Sequence, residues 1–327
     1  MTNKIQVGII GYGNLGKGAE AAIQQQADME LVAVFSRRGE IEIQDKNAKA
    51  LHIDEAKDYQ GKIDVMILCG GSATDLPDQT PQFTNMFNTV DSFDTHANIP
   101  EHFSKVDKVA QESGNISVIS VGWDPGMFSM NRVMSEAILA EGNTYTFWGK
   151  GLSQGHSDAV RRVEGVKAGV QYTLPSEEVM EQVRQGENPD ASKSERHKRE
   201  CFVVLEAGAD AAIVENTIKT MPNYFDEYET AVHFISEEEL NENHSNMPHG
   251  GFVIHSGATG EEKHNQVIEY SLNLESNPEF TASVLVAYAR AAYRLSQEGQ
   301  QGAKTIYDIG PGYIHPASPA ALRKGYL

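Results

Sequence analysis

The chain has 327 residues, with 27 lysines and arginines against 46 aspartates and glutamates, so its formal net charge is 27 − 46 = −19. That length allows a large buried core and suggests two domains, and so negative a charge argues against nucleic-acid partners and anionic membrane surfaces. With 40% hydrophobic and 22% charged residues and no run near the roughly 20 apolar residues of a membrane span, the disordered and transmembrane classes are excluded.

The first third alternates short apolar runs (Ile5 to Ile10, Leu31 to Phe35, Val65 to Cys69, Ile116 to Val121) with polar segments of helical length. Continuous apolar runs joined by helices are what strands buried on both faces of a parallel sheet require. After Val121 the pattern predicts a helix from Met127 to Ala140, a strand from Tyr145 to Trp148 and a Gly/Ser-rich loop from Gly149 to Gly155. Further on, Ile268, Tyr270, Leu272 and Leu274 alternate with polar residues, the period of a strand with one covered face. A second, α+β domain therefore begins near Gly122. Asn277-Pro278-Glu279 reads as an N-cap, Pro at the first helical position and an acid in the first turn, opening a long amphipathic helix through Leu295. The tail from Gly299 is expected to pack back on the first domain. Two isolated cysteines, Cys69 and Cys201, and no signal-peptide pattern ahead of Ile5 lead to the expectation of a reducing, cytoplasmic location.

Gly11-Tyr12-Gly13-Asn14-Leu15-Gly16 follows the first apolar run directly and opens a helix-compatible segment. Glycines at that spacing permit a tight turn, approach of a pyrophosphate to backbone N–H groups at a positive helix end, and close helix–strand packing. About 20 residues on, where an NAD enzyme carries an acid for the ribose 2′-hydroxyl, stand Ser36, Arg37 and Arg38; two guanidiniums there suit a 2′-phosphate, so the expected cofactor is NADP. Cys69, Gly70 and Ser72, at the end of the third apolar run, complete the candidate cofactor site.

Gly151-Leu152-Ser153-Gln154-Gly155 imitates the G-x-S-x-G of a serine hydrolase, but its polar flanks fit a ligand-contacting loop better. His244 and His249 lack neighbours at metal-ligand spacing, so no metal is expected. Asp94 and Asp124 fall just beyond strand ends, where a Rossmann sheet places its ligands, and would attract a substrate ammonium; capping or turn duty in Asp124-Pro125-Gly126 is the alternative.

These blocks, with Phe35 to Arg38, Trp123 to Ser129, Gly151 to Arg162, Met247 to Gly251 and Asn277 to Thr281, resemble the meso-diaminopimelate D-dehydrogenase family over nearly the whole chain to about Gly299. The resemblance implies NADP-dependent, reversible oxidative deamination of the D-centre of meso-2,6-diaminopimelate to L-2-amino-6-oxopimelate and ammonia, in lysine and cell-wall precursor synthesis, by a homodimer. It implies an NADP-binding Rossmann domain over 1–121, with the tail 299–327 on it, and a substrate-binding and dimerisation domain over 122–298. It places Asp94, Trp123, Asp124, Trp148, Ser153, Gln154 and Gly155 around the reacting D-centre, and Thr173, Arg199, His249 and Asn277 at the distal L-amino-acid end. Chemically, the ammonium must lose a proton before the carbon can release hydride, and Asp124 or Asp94 is the expected acceptor. Two rivals stand beside this reading: another NADP-dependent two-domain oxidoreductase, which would use a lysine near the reacting carbon with Lys150 the one candidate, and a non-catalytic NADP(H)-sensing protein.

Overall fold

The computed structural model describes residues 4–327. The chain divides into two compact units, Met1–Met130 with Pro278–Leu327, and Asn131–Asn277.

The first unit opens with β1 (Ile5–Ile10), α1 (Asn14–Gln24), β2 (Met29–Ser36), β3 (Lys49–His52), β4 (Val65–Leu68), α2 (Leu76–Thr84), β5 (Asn88–Asp91), α3 (Ile99–Ser113) and β6 (Ile116–Val118). The apolar runs become β1, β2, β4 and β6, and all four residues of β4 are buried, as a strand covered on both faces demands. β5 escapes an apolar-run search because its sequence is NTVD. It is buried through hydrogen bonds instead: the Thr89 hydroxyl lies 2.8 Å from that of Thr84 and donates to Ser117 Oγ at 2.8 Å. α4 (Met127–Ile138) then leads into the second unit.

The second unit carries β7 (Gly142–Trp148), β8 (Gly151–Leu152), α5 (Gln154–Arg161), β9 (Val166–Pro175), α6 (Glu177–Arg184), β10 (His197–Leu205), α7 (Ala211–Lys219), β11 (Thr230–Phe234), α8 (Glu237–Asn243), β12 (His249–Thr259) and β13 (His264–Leu274). Two sheets result, β11-β10-β9-β8, antiparallel but for its β10–β11 pair, and the antiparallel β13-β12-β7. The alternation along β13 is realised: Ile268, Tyr270 and Leu272 are partly covered and their intervening neighbours exposed. The segment expected as a loop from Gly149 to Gly155 instead contains β8 and the start of α5, because Gly151 and Leu152 pair with Thr173 and Tyr172.

The chain then returns to the first unit through α9 (Asn277–Gln297), β14 (Gly302–Lys304), α10 (Pro311–Ile314) and α11 (Pro319–Tyr326). β14 pairs in parallel with β6 and completes the seven-stranded order β14-β6-β5-β4-β1-β2-β3. Two details differ from the sequence reading. α9 belongs with the first unit from Pro278 onward, because Ala282, Leu285, Ala289 and Ala292 share one core with Val7, Ile9, Ala19 and Ile23 of β1 and α1. The helix also runs from Asn277 itself, one residue ahead of the expected start at Pro278, and the Asn277 N–H donates to the Met247 carbonyl at 3.1 Å.

Candidate active site

In the first unit, β1 runs directly into Gly11, whose φ of +90° favours glycine. A Cβ on Gly16 would meet the Gly11 carbonyl oxygen at 2.2 Å, so only glycine lets α1 start this close to the strand. A Cβ on Gly13 would meet nothing within 4 Å, and Gly13 caps α1 without any side-chain hydrogen bond. The helix thus presents its first N–H groups beside open space, the arrangement a pyrophosphate needs. Gly11, Tyr12, Gly13, Ser36, Arg37, Arg38, Cys69 and Gly70 line one cavity of about 260 Å³, and a second hollow of about 340 Å³ beside it adds Asn14 and Lys17.

Leu15 and Ser72 are not among the lining residues. Leu15 packs against the core, and the Ser72 hydroxyl accepts the Asp94 N–H at 2.8 Å. Burial pushes the Cys69 thiol up to about 12, which keeps it protonated where it lines the cavity. The two arginines behave differently. Arg38 donates to the Tyr12 carbonyl at 2.9 Å and so stands at the fingerprint loop. Arg37 is 71% exposed and pairs with Asp75 at 3.0 Å, an acid on the loop after β4 that lies 38 residues away and is invisible to local spacing. Tyr12 is itself held by the fully buried Glu20 of α1, which accepts its hydroxyl and the N–H groups of Gln44 (2.8 Å) and Asp45 (2.6 Å). Burial and that carboxylate raise the phenol far above its ordinary range and keep it a donor.

Asp94 is exposed after β5, and Asp124 is half-buried after β6. Asp124 stands in a closed turn: the Met127 N–H returns to the Gly122 carbonyl at 3.0 Å, and a Cβ on Gly126, at φ +136°, would overlap that oxygen at 1.7 Å. Trp123 is buried edge-on against Phe128 at 5.2 Å.

In the second unit, Arg199 of β10 stands opposite Thr173 of β9 and donates to its hydroxyl. The guanidinium is buried, lies 4.0 Å over the Tyr228 ring and has an Nε with no hydrogen-bond partner. Among the described residues no carboxylate comes within ion-pair distance of it, and burial pulls its pKa below the ordinary value. A buried cation without an acid is costly and calls for an anionic ligand. Gly151 pairs with Thr173, and a Cβ there would meet the His249 ring at 2.4 Å, so the glycine admits the imidazole beside Thr173. The Asn277 N–H bond to Met247 brings Asn277 to the same strand start. Thr173, Arg199, His249 and Asn277 are therefore linked through adjoining backbone.

Trp148, at the end of β7, donates its N–H to His197 Nε2 at 2.8 Å and stacks on that ring at 5.1 Å. His197 Nδ1 therefore carries the proton and donates to the Lys193 carbonyl at 2.8 Å. Burial holds His197 neutral, down at about 4. Ser153 precedes α5 and its hydroxyl lies 2.8 Å from His156 Nδ1. A short strand and a helix do flank Ser153, closer to a nucleophile elbow than its sequence suggests. Yet His156 sits against the edges of Tyr224 and Phe225 rather than on a carboxylate, and burial with the charges of Arg199 and Lys193 pushes it down to about 4. No triad is formed among the described residues. Gln154 reaches the Met247 sulfur at 3.2 Å, and Gly155 faces open space. Lys150 lies 5.5 Å over the Tyr172 ring.

A Rossmann-type unit with a bare helix N-terminus at a glycine cradle, and a second unit with a buried acid-free guanidinium, define a nicotinamide-dependent oxidoreductase acting on a small anionic substrate. Residues 122–276, which take in nearly all of the second unit, match the family model "Diaminopimelic acid dehydrogenase C-terminal domain". The chain is 65% identical to meso-diaminopimelate D-dehydrogenase of Ureibacillus thermosphaericus over 99% of its own length and 100% of that protein. It superposes on C. glutamicum DAP dehydrogenase in complex with DAP at 47% identity, covering all of both chains with a TM-score of 0.90. On an engineered D-amino acid dehydrogenase bound to NADP+ the figures are 45%, 99% and 100% coverage, and 0.85. The chain belongs to the meso-diaminopimelate D-dehydrogenase family.

Proposed function

We propose that the protein catalyses NADP-dependent, reversible oxidative deamination at the D-centre of meso-2,6-diaminopimelate. The substrate, NADP+ and water give L-2-amino-6-oxopimelate, ammonium, NADPH and a proton. The observation that carries the substrate is Arg199, a buried guanidinium with no acid of its own, grouped with Thr173, His249 and Asn277. A planar fork binds a carboxylate with two parallel hydrogen bonds, and the distal L-amino-acid end supplies one.

Gly11, Gly13 and Gly16 with the first turn of α1 would hold the pyrophosphate, and Arg38, with Arg37, the 2′-phosphate. Leu15 and Ser72 support that site from outside the cavity. NADP+ held there would supply the acceptor for the hydride of the D-centre carbon. Asp124 accepts the ammonium proton, directly or through water, which frees the nitrogen lone pair for the imine that water then hydrolyses. Asp94 draws the ammonium in, and Trp123, Trp148, Ser153, Gln154 and Gly155 line the reacting end. The first unit, whose bounds include Asp94, Trp123 and Asp124, would thus hold the cofactor and the reacting acids, and the second the distal end of the substrate.

We infer a homodimer from apolar side chains that the second unit leaves in water, Val133, Met134 and Ile138 of α4 and Val267 of β13, the last near the middle of an edge strand. A cytoplasmic location accords with two free thiols and with a cofactor of intracellular supply. No helix among the described residues is long and apolar enough to cross a membrane.

The deciding assay is NADP reduction with meso-, LL- and DD-diaminopimelate. Turnover is expected with the meso isomer and none with LL, since only a D-centre directs its hydrogen at the nicotinamide. Equal rates on LL and meso would overturn the assignment.

A further inference from the structure

Asp91, the last residue of β5, is completely buried, and its carboxylate accepts four hydrogen bonds. Oδ1 takes the Phe93 N–H at 3.0 Å and the Ser120 N–H at 2.8 Å. Oδ2 takes the Thr80 hydroxyl of α2 at 2.7 Å and His102 Nε2 of α3 at 2.8 Å. Its own carbonyl accepts the Val121 N–H at 2.9 Å. Phe93 immediately precedes Asp94, and Ser120-Val121 leads through Gly122-Trp123 into Asp124. One carboxylate therefore fastens both chain segments that carry the two acids, and it does so through a single oxygen.

We propose that Asp91 is a positioning residue for the reaction, fixing the departure of the Asp94 and Asp124 segments from the sheet, with His102 holding Asp91 in turn. The inference rests on the reading that these two acids act at the reacting carbon. The ring of His102 stacks on Phe93 at 4.1 Å with an interplanar angle of 18°, so the same histidine braces the carboxylate and the side chain next to Asp94. Ser120 stands at φ +57°, a conformation that non-glycine residues adopt where their surroundings impose it, and the Asp91 bond to its N–H is such a constraint. All four lone-pair sites of the carboxylate are used. A fully satisfied buried network specifies one arrangement of its donors.

Asp91→Ala removes both N–H anchors, whereas Asp91→Asn keeps an acceptor at Oδ1 and can donate from its amide to Thr80 and to the other tautomer of His102. Each variant is to be titrated with NADP+ by fluorescence to count functional sites, and kcat is taken per site. We expect Asp91→Ala to lose at least about 10-fold in kcat, the scale of a sub-ångström to 1 Å misplacement of a reacting group, with Kd for NADP+ within threefold of wild type. Asp91→Asn should recover most of the loss. A purely structural role would reduce the number of sites and weaken NADP+ binding while leaving kcat per site in place, and that result overturns the proposal. If Asp91→Ala does not fold, Thr80→Val with His102→Gln removes the partners of Oδ2 and faces the same criteria. Asp124→Ala and Asp94→Ala assayed alongside separate the two levels: undiminished kcat in both removes the underlying reading, and loss there without loss per site in Asp91→Ala removes only the positioning role.

Discussion

Arg37 and Arg38 are adjacent in sequence and read alike as partners of a 2′-phosphate, yet the fold gives them different standing. Arg38 is fixed on the Tyr12 carbonyl, while Arg37 is mostly exposed and already engaged with Asp75. An exposed pair is worth at most about 1 kcal/mol, whereas a charge-assisted bond held in place contributes about 1.5–3 kcal/mol. Arg38→Ala should therefore lower the NADP/NAD ratio of kcat/KM by about 10- to 100-fold, and Arg37→Ala by less than about fivefold. Steady-state kinetics with both cofactors checks the order, and a larger effect at Arg37 would relocate the phosphate. At the reacting end, Asp124→Ala should cost about 10²- to 10⁴-fold in kcat if it accepts the proton, and a near-normal rate would leave it the turn residue that its Pro-Gly neighbours already explain. Arg199→Lys keeps the charge but loses the fork; KM for meso-diaminopimelate should rise at least about 10-fold with Kd for NADP+ unchanged.

At the scale of elements, β1 coincides with its apolar run from Ile5 to Ile10 because burial places it, while the alternation from Ile268 to Leu274 marks only the second part of β13, whose first four residues are exposed and held by pairing with β12. β5 and β8 are not legible in this way. β5 is placed by hydroxyl and carboxylate hydrogen bonds and β8 by two register pairs, and neither leaves a periodic apolar trace. The site divides along the same line. The glycine fingerprint is local and readable, while the Arg199–Thr173 pairing is a cross-strand contact over 26 residues that only the family resemblance foreshadowed. His197 is another long-range tie, joining the end of β7 to the loop before β10. It and His156 stay neutral down to about 4 in the folded chain, against about 6.5 when unfolded. Between those values the unfolded chain binds more protons, so stability falls as pH drops from about 6.5 toward 4, by at most about 1.4 kcal/mol per pH unit for each ring. Denaturant unfolding at pH 5 and pH 7 should show this slope, and His197→Gln should make it shallower. An unchanged slope would place the titration elsewhere.

At the scale of the chain, segments from near its two ends meet at Arg290. Its side chain is almost fully buried in α9; it donates to both carboxylate oxygens of Asp28 at 2.7 and 2.8 Å, to Gln26 Oε1 at 2.7 Å and to the Ile314 carbonyl at 2.8 Å. The turn between α1 and β2 is thereby tied to the C-terminal segment through one guanidinium. Neighbouring Arg294 adds bonds to the carbonyls of Gly312, Tyr313 and His315. Composition indicates only that some arginine must find acids in so acidic a chain; which one is buried depends on the turn at Asp28 meeting α9. Arg290→Met should remove about 3 kcal/mol, at the low end for breaking a buried pair because Asp28 keeps partial access to water, and lower Tm by roughly 6–12 °C. The pH dependence follows from Asp28. Its hydrogen bonds to Arg290 hold its carboxyl below the ordinary value near 4, against the opposing effect of burial. That stabilisation is complete above about pH 4 and is lost as pH falls through the lower folded value. The gap in Tm between wild type and Arg290→Met should therefore be constant from pH 8 to pH 5 and narrow below about pH 4. Thermal unfolding across that range checks it, and a gap that persists undiminished at pH 3 would mean that Arg290 stabilises the fold through its carbonyl contacts alone.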